Sequence, residues 1–270
     1  MKDNSPIIIV RGAGDLATGT IARLFNSGLK VLALEIEQPT VIRTTVSFAQ
    51  ALFDGSVTIE GITARKASNL EEAATIMANN QIPILVDPEG ESITLLKPIV
   101  VVDAILAKKN LGTTMDMAPF VVALGPGFEA QKDCHCVIET KRGHFLGSII
   151  RQGTAAPNSG IPGIIGGYGS ERVLRAPTEG LFEPLCPIGT LVKAGDTVAK
   201  VEKEEVKTSI DGVVRGMLNK GIYVTKGFKV ADVDPRGIIE FKDTISDKAR
   251  AVAGGVLEAI DGFLRGNKCL

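Results

Sequence analysis

Residues Ile7–Val10 form a short unbroken run of branched apolar side chains, and Leu16, Ile21, Leu24 and Phe25 then recur at helical spacing. A run of that length predicts a strand covered on both faces, and the recurrence predicts an amphipathic helix. Gly28 ends the helix and residues 30–34 make a second apolar strand. The alternation continues with a helix over 70–77 and a strand over 82–86 that ends at Asp87. A strand over 99–102 follows, ending at Asp103 and leading into a short helix, and another over 120–124 runs into "GPGF". Residues 57–59 and 62–64 predict a hairpin around Glu60-Gly61. Strands alternating with helices imply an α/β fold with a parallel, Rossmann-like sheet whose crevice lies at the carboxyl ends of its strands.

The pattern changes after Gly127. Residues 136–140 and 144–150 predict a hairpin closed by the three residues "KRG", and Gly153–Gly169 is a glycine-rich loop. Gly189 and Gly221 then open two copies of one pattern, with Val192/Val224, Gly195/Gly227, Val198/Val230, Ala199/Ala231 and Val201/Val233 identical. Such a repeat predicts two interlocked β-units and resembles the barrel-sandwich hybrid of biotinyl and lipoyl carrier domains. The segment between the copies is short and lacks a carrier-type lysine motif around Lys203 or Lys207, so no covalent biotin or lipoate is expected. A last apolar stripe, starting near Thr244 and Asp247, predicts a helix that packs back on the first domain or forms a dimer contact. The expected division is 1–127 nucleotide-binding domain, 128–175 hairpin and glycine-rich segment, 176–238 barrel-sandwich hybrid, and 239–270 C-terminal helix.

Composition narrows the class. The 270 residues carry a net charge of −1, four cysteines, two histidines and no tryptophan. Near-neutral charge and few aromatics argue against nucleic acid as a partner. No apolar run is long enough to span a bilayer, and the N-terminal run is too short for a signal peptide, so a cytoplasmic location is expected.

Candidate chemistry lies in two places. Gly12, Gly14 and Ala17 form G-x-G-x-x-A between the first strand and helix, and Glu35 follows about 20 residues on, at the end of the second strand. The first glycine allows the turn, the second lets a phosphate approach the backbone, and Ala17 allows close helix–strand contact. The helix N-terminus offers amides and a positive dipole, and the acidic residue suits a ribose hydroxyl. A nucleotide or dinucleotide is the expected ligand. Asp15 at the helix start either caps it or needs a cation such as Arg11 to offset its charge. Topology should gather Glu35, Asp87, Asp103, Gly125 and Gly127 along the same edge, and Arg43 and Asn158 are further candidates to line the site. The second place is "DCHCVIETKRGH". On a strand, Cys134 and Cys136 point one way and His135 the other, so the three cannot share a metal. No metal site is expected there. His135 and His144 are read as site-lining, and the cysteines as small buried apolar groups.

The strings "VRGAGDLATG", "VSFAQALFDG", "ALGPGF", "DCHCVIET", "RGHFLGSII", "GTAAPNSGIPG", "ERVLRAP" and "ADVDPR" occur in this order. Together they resemble the YqeB-type accessory proteins of selenium-dependent molybdenum hydroxylases. The resemblance implies a role in maturing or supplying the selenium or molybdenum centre, with a hydroxylase or a cofactor- or selenium-supplying protein as partner. A homo-oligomer is compatible with it. The alternative is an NAD(P)-dependent oxidoreductase acting on a small molecule.

Overall fold

The computed structural model describes residues 6–160 and 162–266. These fall into two compact units. The first comprises Met1–Glu37, Phe48–Asn158 and Ile245–Leu270, and the second Gln38–Ser47 and Ser159–Thr244.

The first unit is built on a nine-stranded sheet. Its strands are β1 (Ile7–Arg11), β2 (Lys30–Glu35), β3 (Ser56–Ile59), β4 (Ile62–Ala67), β5 (Ile82–Val86), β6 (Val100–Asp103), β7 (Phe120–Leu124), β9 (Cys136–Ile138) and β10 (Ile149–Ile150). They are ordered β10-β9-β7-β6-β1-β2-β5-β4-β3. A separate two-stranded pair joins β8 (Glu129–Ala130) to β11 (Gly153–Thr154). The unbroken apolar runs form the centre: Ile9, Val10, Leu32, Val101 and Val121 are fully buried. The helices of this unit are α1 (Asp15–Asn26), α2 (Ala51–Asp54), α3 (Leu70–Ala78), α4 (Glu91–Leu96) and α5 (Asp247–Leu264).

α5 lies against α1 at a glycine contact. A Cβ on Gly19 would fall 2.8 Å from the Ala249 Cβ, so only glycine permits this approach. Ser246 caps α5 by accepting the Ala249 amide at 3.2 Å. The expected start at Thr244 is displaced because the Thr244 hydroxyl donates to Glu240 O instead.

The second unit holds two four-stranded antiparallel sheets. One is ordered β12 (Val173–Arg175), β19 (Lys229–Asp234), β17 (Gly212–Met217), β14 (Leu191–Val192). The other is ordered β16 (Glu204–Lys207), β15 (Thr197–Val201), β13 (Gly180–Pro184), β18 (Tyr223–Val224). The two repeat copies therefore exchange strands. β14 of the first copy shares a sheet with β19 of the second, and β18 of the second shares a sheet with β15 of the first. Phe182, Val198, Val201, Val214, Val230 and Val233 fill the core.

The expected architecture, a parallel Rossmann-like sheet followed by a barrel-sandwich hybrid of biotinyl/lipoyl type, is corrected by this topology. The large sheet is mixed, because β3 runs antiparallel to β4 and β10 antiparallel to β9. The second unit is built from separate antiparallel sheets. Apolar alternation marks a strand and its buried face but does not encode which neighbour it pairs with. The short helix expected after Asp103 is also absent. Leu106 and Lys108 adopt positive φ, at 60° and 65°, which a right-handed helix cannot contain. The 136–150 hairpin has shorter strands and a longer loop than the three-residue turn expected, since the ladder ends with Ile138 opposite Ile149 and the last backbone bonds across it join Glu139 to Gly147 and Ser148. The 57–64 hairpin forms with Glu60 and Gly61 both at positive φ, the backbone that a two-residue turn of matching twist demands.

Candidate functional site

The carboxyl ends of β1, β2 and β5 frame a cavity of about 360 Å³ lined by Gly12, Glu35, Ile36, Asp87, Ile105 and Leu111, among others. A larger hollow of about 810 Å³ is bounded by Gly90, Lys97, Asp116 and Pro119. It lies by the segments that enter β6 and β7, away from the glycine turn.

The turn itself is built from local necessity. Gly12 has φ +98°, and a Cβ there would fall 2.8 Å from Ala104 O. Gly14 is the extended N-cap of α1 and makes no side-chain capping bond. Ala17 is fully buried, the close packing that its small size allows. Thr18 locks the turn, because its hydroxyl donates to Ala13 O at 3.2 Å and accepts the Phe48 amide at 2.9 Å.

Glu35 reaches back into this turn. Its Oε2 accepts the Ala13 amide at 2.8 Å and its Oε1 accepts the Ile36 amide at 2.9 Å. Burial raises its carboxyl above the usual range, and the two amides offset this only in part.

Arg11 does not neutralise Asp15. It is buried, with Nη1 donating to Thr113 Oγ1 at 2.5 Å and Nη2 to Pro88 O and Leu111 O at 3.2 and 3.4 Å. Thr113 passes the contact on by donating to Asp103 Oδ2 at 2.6 Å. Arg11 Nη1 lies 3.8 Å from the same oxygen. Asp103 also accepts the Ile105 amide at 3.1 Å, and burial raises its carboxyl. The Arg11–Thr113–Asp103 cluster thus braces the 104–113 loop beside the cavity.

α5 brings a cation within electrostatic reach of Asp15. Lys248, in the first turn of that helix, is lowered from the ordinary lysine range first by burial and then by Lys108 and Arg142, while Asp15 and Glu139 pull the other way. Lys108 is itself lowered by burial. Arg142 is held to Asp247 by a forked pair at 2.6 and 3.0 Å.

Asp87 caps α4. Its carboxylate accepts the Gly90, Glu91 and Ser92 amides at 2.8–2.9 Å and the Ser92 hydroxyl at 2.5 Å. Burial pushes its carboxyl up, but these bonds outweigh it and hold the group below its ordinary value.

The structure thus brings Gly12, Glu35 and Asp87 to one cavity, with Asp103 braced beside it. Gly125 and Gly127 follow β7, at φ +76° and +110°. Thr140 crowds Gly125, and a Cβ on Gly127 would fall 2.7 Å from the Lys109 backbone, so packing accounts for both glycines. His135 is placed at the other end of the sheet. It sits beside Val121 near the start of β7, where its Nδ1 accepts the Val121 amide at 3.0 Å and burial lowers its imidazole. His144 is exposed and meets Phe145 edge-on. Asn158 is exposed beyond β11. Arg43 belongs to the second unit, where its Nη2 donates to Phe241 O and Thr244 O.

Cys134 and Cys136 are buried, and burial pushes both thiols up to about 12. Cys269 lies outside the described residues. Among the described residues, no group of three or more His, Cys, Asp or Glu is placed to hold a metal. No helix among them is long and apolar enough to cross a membrane.

Sequence reasoning missed Thr113, Lys248 and Glu139. Glu139 is buried, and its carboxylate accepts the Lys141 and Ala156 amides at 2.7 and 2.8 Å. Its position in an apolar strand end, "CVIET", is the one signal that marked it.

No family model matches the chain. Over 264 residues, 96% of its length, it is 52% identical to the "Uncharacterized protein YqeB" of Escherichia coli K12. That match supports the YqeB family. The chain spans about half the length of this relative, 49%. Among solved structures it is similar to an aspartoacylase family protein of Mesorhizobium loti, at 9% identity and a TM-score of 0.27, with 85% of each chain covered. A succinylglutamate desuccinylase/aspartoacylase of Rhodobacter sphaeroides matches at 15% identity and a TM-score of 0.28, again with 85% of each chain covered. Overlaps this low carry no weight for the fold or the chemistry of the YqeB-like chain.

Proposed function

We propose that this chain is an accessory or maturation factor for selenium-dependent molybdenum hydroxylases, and that it works by binding a nucleotide or a nucleotide-containing cofactor. The family likeness supports the first part. One observation carries the second: the Gly12–Gly14 turn leads into the N-terminus of α1, where Gly14 makes no side-chain capping bond, and Gly12 and Glu35 wall the adjoining cavity. Amides at a helix start suit a phosphate. A carboxylate at the cavity wall suits ribose hydroxyls. Lys248 supplies the positive charge that Asp15 would otherwise deny an anion. On this reading the chain's own residues bind and orient the ligand, and the partner is a hydroxylase or a protein that supplies its cofactor or selenium.

Calorimetry with NAD(H), NADP(H), ATP and molybdopterin dinucleotides tests the reading. Binding to the native chain that is lost in Gly14→Val, with the circular dichroism spectrum retained, is the expected result. No binding of any of these at high micromolar concentration would overturn it.

A further inference from the structure

We propose that a hollow between α1, α5 and the β3–β4 turn binds a free α-amino acid, with Arg23 taking its carboxylate and Glu60 its ammonium. The hollow measures about 300 Å³ and carries both side chains on its wall, a volume at the lower end for a small-molecule site. Arg250 stands between the two. Its backbone carbonyl accepts Arg23 Nη2 at 3.4 Å, and its guanidinium donates to Glu60 Oε1 at 2.6 Å. The place is distinct from the glycine turn, because Arg23, Asn26 and Ser27 lie at the end of α1 remote from Gly14. The proposal therefore does not depend on the nucleotide reading.

Both charged groups have bonding capacity left. Glu60 occupies its turn at φ +47°, a backbone that suits glycine, asparagine or aspartate better. Its side chain reaches α5, where Oε1 accepts the Ile245 amide at 2.9 Å as well as Arg250. Bracing the turn against α5 uses that one oxygen; among the described residues Oε2 accepts no hydrogen bond. An ammonium group is the donor that a half-buried carboxylate oxygen complements best. Arg23 uses a single donor, in the long bond to Arg250 O, so most of its fork stays available for a carboxylate. Gly19 and Ala22 are too small to fill the hollow, and Ile245 and Leu257 give it apolar wall for a side chain. Two guanidinium groups and one carboxylate on the wall disfavour a cationic side chain and suit a ligand that is neutral overall.

Titration calorimetry on the full chain with L-alanine and L-leucine, against L-lactate and L-alaninamide, is the test. Lactate lacks the ammonium and alaninamide lacks the carboxylate. Both amino acids are expected to bind, and each analogue about tenfold more weakly than alanine, the scale of one hydrogen bond to a charged group. Arg23→Met should weaken alanine by about the same factor. Glu60→Gln keeps an acceptor for the Ile245 amide and removes the charge, and it should bring alanine and lactate to the same affinity. Circular dichroism establishes that each variant is folded. Absence of binding by both amino acids at roughly 10 mM, tenfold above a millimolar dissociation constant, would overturn the proposal. Equal binding of lactate and alanine to the native chain would overturn the amino-acid assignment. Alanine affinity unchanged in folded Arg23→Met, or an alanine-to-lactate ratio unchanged in folded Glu60→Gln, would overturn the placement in this hollow.

Discussion

Glu35 and Ala13 are joined across the turn that opens α1, carboxylate to amide at 2.8 Å. The end of one strand therefore props the loop at the end of its neighbour. Glu35→Ala should cost about 1–3 kcal/mol, the range for losing hydrogen bonds to a charged group after desolvation is discounted. Glu35→Gln retains an acceptor and should cost less. Urea denaturation of both variants reads the difference; equal losses would mean that the Ala13 amide gains nothing from the prop.

Arg11 and Asp103 share Thr113 in a place where both side chains are almost fully buried. Removing one member leaves the other charged without its counterpart. Arg11→Met is expected to cost about 3–5 kcal/mol. Adding Asp103→Asn should recover part of that loss, with a coupling of about 1 kcal/mol or more. A double-mutant cycle by denaturant unfolding measures it, and strict additivity would show that the pair is not coupled.

Asp87 gives the fold an acid-sensitive element. Its carboxyl is lowered in the folded state, so the native protein binds that proton less readily than the unfolded chain. The stabilisation is present above the ordinary aspartate range near 3.8 and is lost as pH falls through the lower folded value. Asp87→Asn should cost about 0.5–2 kcal/mol at neutral pH, as loss of a helix cap does. The gap to the native chain should narrow below about pH 4. Melting curves at stepped pH check this; a gap that stayed constant into acid would contradict it.

Cys134 and Cys136 should be inert in the folded protein. Both are buried, with thiols pushed up to about 12, so almost no thiolate exists at neutral pH. Iodoacetamide labelling read by peptide mass mapping should leave both unmodified until denaturant is added. Rapid labelling under native conditions would place them nearer to solvent than the structure does.

The turn, α1, β2 and Glu35 could be read from the chain because each is a local pattern: a branched run, a helical period, glycines where a side chain cannot fit. The Arg11–Thr113–Asp103 cluster could not, since Thr113 is an ordinary loop residue until the fold sets it between two buried charges. Lys248 was hidden for the same reason, its relation to Asp15 arising only when α5 packs on α1. The exchange of strands between the two copies of the second unit could be read from the repeat, but the division into two separate four-stranded sheets could not, because the pattern marks strands and not their neighbours. His135 was drawn to the crevice by its nearness in sequence to "GPGF", yet β9 begins at the opposite end of the sheet from the end of β7.

The contact of Gly19 with Ala249 also orders events in time. α1 (Asp15–Asn26) is synthesised well before its covering helix α5 (Asp247–Leu264). At roughly 5–20 residues per second, the wait is on the order of tens of seconds. Throughout that interval the apolar side of α1 has no permanent cover, and the first unit cannot close until residues 245–266 are free of the ribosome. A nascent chain stalled before that point would present this surface to chaperones, which makes completion of α5 the step that commits the first unit to its native state.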